Sequence, residues 1–232
     1  MTIPTLITSY KEKVTVTQLW KVYASLSQAF KMAEIEHGRM STWGLTSTTA
    51  GIDPETGKQL YNLSAQSLVA QRIKPYLRVS KTCVLNEVCF KPYASYALSG
   101  LKLSTSDDYT ITEASDSPAD ANFFLNDGSF ISMGWSNGNK IDIAVTLPNG
   151  DMVLGKTRFF FSYSADKGLH PEGDGVLSYS HDSFNIFCNP NNTTTDAGRA
   201  CTAWVIYNKN MDYLHCPDKL SWDGAHSCKE AE

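Results

Sequence analysis

The chain has few charged residues, and this scarcity excludes several kinds of protein. Only 19% of its 232 residues are charged, and the formal net charge is −4. A nucleic-acid-binding domain normally carries a basic face that follows the phosphates, so nucleic acid is a poor candidate partner. Apolar runs are also short, since no stretch reaches the ~18 residues that a membrane-spanning helix requires.

Motifs of common enzyme classes are missing as well. The sequence contains no GxGxxG or GxxxxGK[ST] phosphate-binding loop and no GxSxG nucleophile turn. Its five histidines include no HExxH pair. The sequence therefore predicts no catalytic residue, no cofactor and no metal-binding motif, and we expect a protein without enzymatic activity.

Two acidic loops are candidates for a bound calcium ion. One contains Asp107, Asp108, Asp116 and Asp120, and the other is Glu172-Gly173-Asp174-Gly175. Calcium requires six to eight oxygen ligands, and neither loop has the residue order of an EF-hand. Solvated acidic turns are the better interpretation of both.

The six cysteines form three pairs of sequence neighbours. An even number of cysteines in a chain with few charges favours disulfides, for which 15 connectivities exist. Free thiols and a zinc site remain alternatives. We favour bonds between neighbours because each would close a short loop that contains turn-forming residues, and the predicted disulfides are Cys83–Cys89, Cys188–Cys201 and Cys216–Cys228.

The first 38 residues have the pattern of one long helix. Apolar side chains recur three and four residues apart and predict one buried stripe, whose core contacts are Leu19, Val22, Tyr23, Leu26 and Phe30. Gly38 follows in the position of a C-terminal cap. A helix of some 35 residues would be about 50 Å long, and its first part, up to Tyr10, is uncharged.

The central part of the chain alternates with a period of two. Tyr96–Leu103 is predicted as a strand, and the dipeptides Asp127-Gly128, Asn137-Gly138 and Asn149-Gly150 separate further strands, the last leading to Met152–Leu154 and Arg158–Phe161. Such dipeptides between alternating segments are strong hairpin signals, so they predict an antiparallel meander. A shorter helix is predicted to begin at Ser64 and to end near Pro75.

These elements predict an α+β fold. A long N-terminal helix packs on an antiparallel β-sheet, with a second short helix and disulfide-stapled C-terminal loops. We expect residues 1–38 to form the helix and residues 39–232 to form a single globular head. Segments after Tyr163 are rich in Gly, Asn, Asp and Thr and are predicted as loops. Residues 201–207 are the exception and are predicted as a strand or a short helix.

The N-terminal helix resembles that of type IV pilins and type II secretion pseudopilins. The resemblance lies in MTIPTLI-x-x-Y-x-x-K from Met1 to Lys13, including the mid-helix Pro4, and in L-x-K-x-Y-x-x-L-x-x-A from Leu19. It is looser at CTAWVIYNKNMDYLHC, which is similar to the closing segment of some pilin-like proteins. The family's leader peptide and its Phe-Thr-Leu-x-Glu segment are not in the sequence, so the resemblance implies a longer precursor whose hydrophobic helix begins upstream.

The resemblance implies a structural subunit of a bacterial type IV pilus-like or type II secretion filament. Such a subunit is held in the inner membrane before assembly and then lies at the cell surface, where it contacts copies of itself or other pilin-like subunits. The helix residues that we expect to serve assembly are Ile3, Pro4, Leu6, Ile7, Tyr10, Lys11 and Lys13.

A secreted module that binds carbohydrate or a host surface is the alternative function. In that interpretation the sheet and the C-terminal loops hold the ligand, and Trp204, Tyr207, Tyr213 and Trp222 are candidates to stack on a sugar. Packing in the core is the more common role of such aromatic residues.

Overall fold

The structure is a computed structural model. It describes residues 3–43, 49–52, 54–55, 59–61, 64–90, 93–106, 108–112, 115, 117–136, 140–148 and 151–232. Within these ranges the side chains of residues 3–5, 49–52, 59–61, 65, 93, 105–106 and 135–136 are outside the description.

The helices in this part of the chain are α1 (Ile3–His37), α2 (Ser64–Ile73), α3 (Phe184–Phe187) and α4 (Cys201–Asn208). The first helix ends where Gly38 adopts a φ of 76°, a left-handed conformation that glycine tolerates without steric cost. The second ends before a 3-10 turn over Lys74–Tyr76 that contains Pro75, because proline cannot continue the helical hydrogen bonds. The segment from Cys201, which the sequence predicts as either a strand or a short helix, is the helix α4.

The strands are β1 (Thr49–Ile52), β2 (Gln59–Tyr61), β3 (Val79–Thr82), β4 (Val88–Phe90), β5 (Tyr93–Tyr96), β6 (Lys102–Ser106), β7 (Tyr109–Thr110), β8 (Asn122–Leu125), β9 (Phe130–Ser136), β10 (Lys140–Thr146), β11 (Met152–Val153), β12 (Arg158–Ser164) and β13 (Gly168–Pro171).

Six of these strands form the main sheet, in the order β13-β12-β10-β9-β8-β3. All of its pairings are antiparallel, and β8 to β13 follow one another as a meander apart from β11. The predicted α+β fold is thereby confirmed. The turn between β8 and β9 uses Gly128 at a φ of 85°, whereas the predicted turns at Asn137-Gly138 and Asn149-Gly150 lie outside the described residues.

Three details of the predicted strands are wrong. Tyr96–Leu103 is not one strand, because a turn with Gly100 at a φ of 85° divides it into β5 and β6. Met152–Leu154 does not continue the meander: β11 pairs in parallel with β5, and β12 returns to β10. The segment from Gly168, predicted as a loop, contains the edge strand β13.

The core lies between α1 and one face of the main sheet. Alternate residues of β10 and β12 point at the helix, so that Ile143 lies opposite Phe161 and both are completely buried. Aromatic rings join the two layers, since Tyr23 stacks on Phe161 with centroids 5.5 Å apart and Phe30 stacks on Tyr163 at 3.8 Å. Burial of this apolar stripe is the main source of stability for the helix.

Three disulfides close short loops in the head. Each cysteine is bonded to its sequence neighbour, as Cys83–Cys89, Cys188–Cys201 and Cys216–Cys228. The last two bonds staple the region around α4, where regular strands are absent from the described chain. Disulfides are typical of oxidising compartments, and they indicate an extracellular or secreted protein.

Candidate functional site on the N-terminal helix

Helix α1 consists of two parts with different surroundings. In the first part, residues 3–11, every described side chain is exposed, and we call this part the projecting segment. Leu6, Ile7 and Tyr10 are 63%, 50% and 68% exposed, although large apolar side chains are usually buried. Lys11, which is also exposed, is the one Lys, Arg, Asp or Glu between residues 3 and 11.

The second part, residues 12–37, packs on the head, and we call it the anchored segment. Leu19, Val22, Leu26 and Phe30 are at most 1% exposed, because they occupy the stripe that faces the sheet. Tyr23 lies at the edge of this stripe and is half-buried. The residues expected to contact the core therefore lie on one side of this segment.

Polar contacts fix the orientation of the anchored segment at several points. The indole N–H of Trp20 donates to the Ile206 carbonyl oxygen of α4 at 3.0 Å. Glu12 Oε1 lies 2.9 Å from His215 Nε2, and the Tyr76 hydroxyl donates to Glu36 near the other end. The head thus holds the helix from residue 12 onward, and the projecting segment extends beyond the last of these contacts.

The structure places the predicted assembly residues unevenly. Leu6, Ile7 and Tyr10 lie together on the projecting segment, at helical spacings of one, three and four residues. Lys11 and Lys13 are exposed next to them. Ile3 and Pro4 belong to α1, but their side chains lie outside the described part. An apolar patch with few charges on an isolated helix is suited to pack against another apolar helix.

The two acidic loops use their carboxylates for contacts inside the protein. Asp120 accepts hydrogen bonds from Ser67 and Gln71 and so fixes α2, while Asp107 and Asp116 lie outside the described residues. In the second loop, Asp174 accepts from the Val176 backbone and contacts the His170 ring at 2.6 Å. Within the described chain no group of three or more His, Cys, Asp or Glu is arranged to hold a metal ion.

Glu172 is an acidic group whose environment the sequence did not reveal. It is only 1% exposed, and Arg199 Nε lies 3.3 Å from its Oε2. Burial raises the pKa of Glu172 to about 7 even though the Arg199 guanidinium pulls this pKa in the opposite direction. The pair joins the end of β13 to the loop before α4, and no signal in the local sequence distinguishes Glu172 from an exposed glutamate.

The aromatic residues of the alternative function are mostly structural. Trp204 and Tyr213 are completely buried, and Tyr213 donates to the Gly155 carbonyl oxygen at 2.5 Å. Trp222 is half-buried against Trp204, with centroids 5.3 Å apart. Tyr207 is 49% exposed and donates to Asp174 at 3.3 Å. These residues form a packed layer rather than an open platform.

Trp20 is the exposed aromatic residue that sequence analysis missed. It is 39% exposed and lies at the flank of the buried stripe, where it contacts Tyr23 and the Ile206 carbonyl of α4. Its spacing was a usable signal, because Leu6, Tyr10, Lys13, Thr17 and Trp20 follow one another at intervals of four and three residues along the exposed side.

The helices of the described residues include none that is both long enough and apolar enough to cross a bilayer.

Comparison with known proteins gives a family without an assigned role. No curated protein and no solved structure matches the chain. A family model, described as a family of unknown function (DUF6613), matches residues 5–230. This match covers nearly all of α1 and of the head, so the chain belongs to that family of unknown function.

Proposed function

We propose that the chain is a non-catalytic structural subunit, similar to a pilin or pseudopilin, of a type IV pilus-like or type II secretion filament. The observation that carries this proposal is the division of α1, in which an anchored segment is buried and a projecting segment is exposed. Transfer of Leu6, Ile7 and Tyr10 from water to an apolar contact is favourable, by ~25 cal/mol per Å² of apolar surface buried.

The architecture suggests how copies would associate. The projecting segment of one copy would lie against the same segment of its neighbours, displaced along the helix axis. Such contacts join different surfaces of the two partners, and they produce an open helical filament when the rotation does not close. Lys11 and Lys13 lie at the boundary with the head, where they would meet polar groups of an adjacent subunit.

The proposal also includes attachment of the subunit to the inner membrane before assembly. In it the apolar helix continues upstream of Met1 and holds the subunit in the inner membrane before assembly. The resemblance in Met1–Lys13 supports this continuation, together with the lack of charge up to Tyr10. We expect the upstream coding sequence to encode a short basic leader, a Gly, Phe-Thr-Leu-x-Glu and an apolar run, which sequencing of the gene can read directly.

Charge substitution in the projecting segment tests assembly. In the full chain expressed in its source cell, Ile7→Asp combined with Tyr10→Asp should abolish recovery of the protein in sheared surface filaments. An Asp in an apolar helix contact would have to be desolvated without a partner. The variant head should still fold, because both side chains are at least half exposed and neither belongs to the described core.

Ile35→Asp is the matched control for this experiment. Ile35 is 77% exposed and lies on α1, but in the anchored segment near the opposite end of the helix. This variant should be recovered in filaments at the wild-type level. Wild-type recovery of the Ile7/Tyr10 variant in filaments, or a wild-type chain that is released only as free monomers, would contradict the proposal.

A further inference from the structure

A groove runs along the exposed side of the anchored segment, beside the C-terminal end of α4. Lys209 follows α4 in a left-handed conformation at a φ of 56°, and its side chain reaches Trp20 of α1. The groove has a volume of about 650 Å³. It is lined by Lys13, Val16, Thr17, Trp20, Lys21, Ala24 and Lys209.

Trp20 provides a fixed aromatic wall in this groove. Its indole N–H is already bonded to the Ile206 carbonyl oxygen, and the Tyr23 ring meets it edge-on with centroids 5.9 Å apart. The ring is thereby held in one orientation, with 39% of the residue accessible to solvent. Because the N–H is occupied, the exposed part of Trp20 offers a flat apolar surface without a free donor. A surface that is ordered before binding loses little entropy when a ligand arrives.

The charges around the groove all have the same sign. Lys13, Lys21 and Lys209 line it, and no carboxylate does. The Lys209 ammonium lies over the Trp20 ring, 5.9 Å from its centroid, so a sugar that stacks on this face moves the exposed lysine side chain toward the edge of the ring. Glu12 is the adjacent acidic residue on α1, and its carboxylate is engaged by His215 at 2.9 Å. Among the described ion pairs, none contains any of these three lysines. The groove therefore attracts an anion.

The residues that line the groove also favour one kind of anion over another. An extended peptide needs partners for its backbone N–H and C=O groups, and the backbone of α1 has used its own groups within the helix. The hydroxyl of Thr17 donates to the Lys13 carbonyl at 2.8 Å, so it offers a peptide little more. A sugar ring can place its C–H face on the Trp20 ring and its acidic groups on the lysines, while its hydroxyl groups point outward from the groove and stay hydrogen-bonded to water.

We propose that this groove binds an acidic oligosaccharide, with a sugar ring stacked on Trp20 and its carboxylates or sulfates paired with Lys13, Lys21 and Lys209. Disulfides place the chain in an extracellular setting, where such polymers occur. The site lies on the anchored segment within one chain, so an isolated chain should bind the ligand without filament assembly, and Lys13 is the residue that the two proposals share. Its test can fail while the filament function stands, and the reverse also holds.

Titration calorimetry with the full chain tests the site. The probes are hexagalacturonate, neutral cellohexaose and a hexaglutamate peptide that has the same number of side-chain carboxylates as hexagalacturonate. Hexagalacturonate should bind, with an affinity that falls as salt is added, because salt screens the lysines. Cellohexaose should bind at least about tenfold more weakly, and so should hexaglutamate, since it has no ring to stack.

Two sets of variants separate charge from stacking. Lys13→Gln, Lys21→Gln and Lys209→Gln together should weaken hexagalacturonate binding at least about tenfold. The matched control replaces three exposed lysines elsewhere, Lys31, Lys156 and Lys229, by Gln. It makes the same change in net charge and should leave the affinity within about twofold. Trp20→Leu keeps all lysines and should also reduce the affinity at least about tenfold.

The result that overturns the proposal is equal binding of hexaglutamate, which would indicate an acidic peptide site or unspecific attraction. Absence of hexagalacturonate binding overturns it as well. So does an unchanged affinity in either the triple-lysine variant or Trp20→Leu. Circular dichroism and a urea midpoint of each variant show that the protein still folds, so that a loss of binding can be assigned to the groove.

Discussion

Single side chains of α1 differ sharply in what their removal should cost. Leu26→Ala takes a completely buried side chain out of the contact with the sheet, and we expect a loss of about 2–5 kcal/mol in the free energy of unfolding. Ile35→Ala removes an apolar side chain from the same helix where it is 77% exposed. This control should change stability by no more than about 0.5 kcal/mol. Urea unfolding of both variants measures the difference, and equal losses would contradict the described orientation of the helix.

Glu172 should make stability depend on pH near neutrality. Its pKa is about 7 in the folded protein and near 4.5 when it is solvated, so the folded state binds the proton more tightly. The free energy of unfolding should therefore rise as the pH falls from about 8 toward 5, by at most about 3 kcal/mol from this group. The charges that act on Glu172 are Arg199, Asp142 and Lys140.

The Glu172→Gln variant checks this pH dependence. Gln has nearly the same shape and does not titrate, so the rise in stability between pH 8 and pH 5 should become smaller. Glu87→Gln changes an exposed carboxylate and should retain the wild-type slope. Chemical unfolding at four or five pH values gives these slopes. A slope that is identical in wild type and Glu172→Gln would show that the buried carboxylate does not titrate in this range.

At the scale of single elements, the contact between the segment after β13 and α4 relies on a close approach of two backbones. Gly173 has a φ of 102°, and a Cβ there would collide with the carbonyl group of Ala200. Gly168, at the start of β13, also has a positive φ of 81°, but a Cβ would meet nothing within 4 Å. A comparison of alanine variants at Gly173 and Gly168 therefore separates the cost of a steric collision from the cost of backbone strain.

Gly173→Ala should therefore destabilise the protein more than Gly168→Ala does. Both variants pay for a left-handed conformation, roughly 1–2 kcal/mol. Only Gly173→Ala must also move the start of α4, which adds about 1–3 kcal/mol. Thermal unfolding of the two variants under the same conditions measures the difference. An equal shift in the unfolding midpoint would mean that the close approach of the two backbones does not add to the cost of Gly173→Ala.

The elements that sequence analysis predicted are those with local signals. Helix α1 has a regular apolar stripe, and the hairpin at Asp127-Gly128 has its characteristic dipeptide. Elements that depend on distant partners were missed or misread. Strand β11 pairs in parallel with β5, and β13 becomes a strand because β12 lies beside it, so neither has a local pattern that reveals its pairing. Likewise, the partner of the buried Glu172 is Arg199, 27 residues away in the sequence.

At the scale of the whole molecule, the disulfides should contribute a large share of stability. Each closed loop is short, with sequence separations of 6, 13 and 12 residues, and a native disulfide typically contributes about 2–4 kcal/mol. A free energy of unfolding of about 5–15 kcal/mol is usual for a folded protein, so reduction of all three disulfides should remove a large part of it. Unfolding in urea with and without dithiothreitol should show a lower midpoint in the reductant, and an unchanged midpoint after verified reduction would contradict this.

The edges of the main sheet have a consequence for aggregation. Strand β3 at one edge has only four residues, its pairing with β8 is bulged between Val79 and Lys81, and it carries the Lys81 side chain. Strand β13 at the other edge packs against α1 and α4. Short, irregular, charged or covered edges are poor templates for added strands. Neither edge of the main sheet is therefore a good template for a strand from another copy, which disfavours amyloid-like aggregation through this sheet.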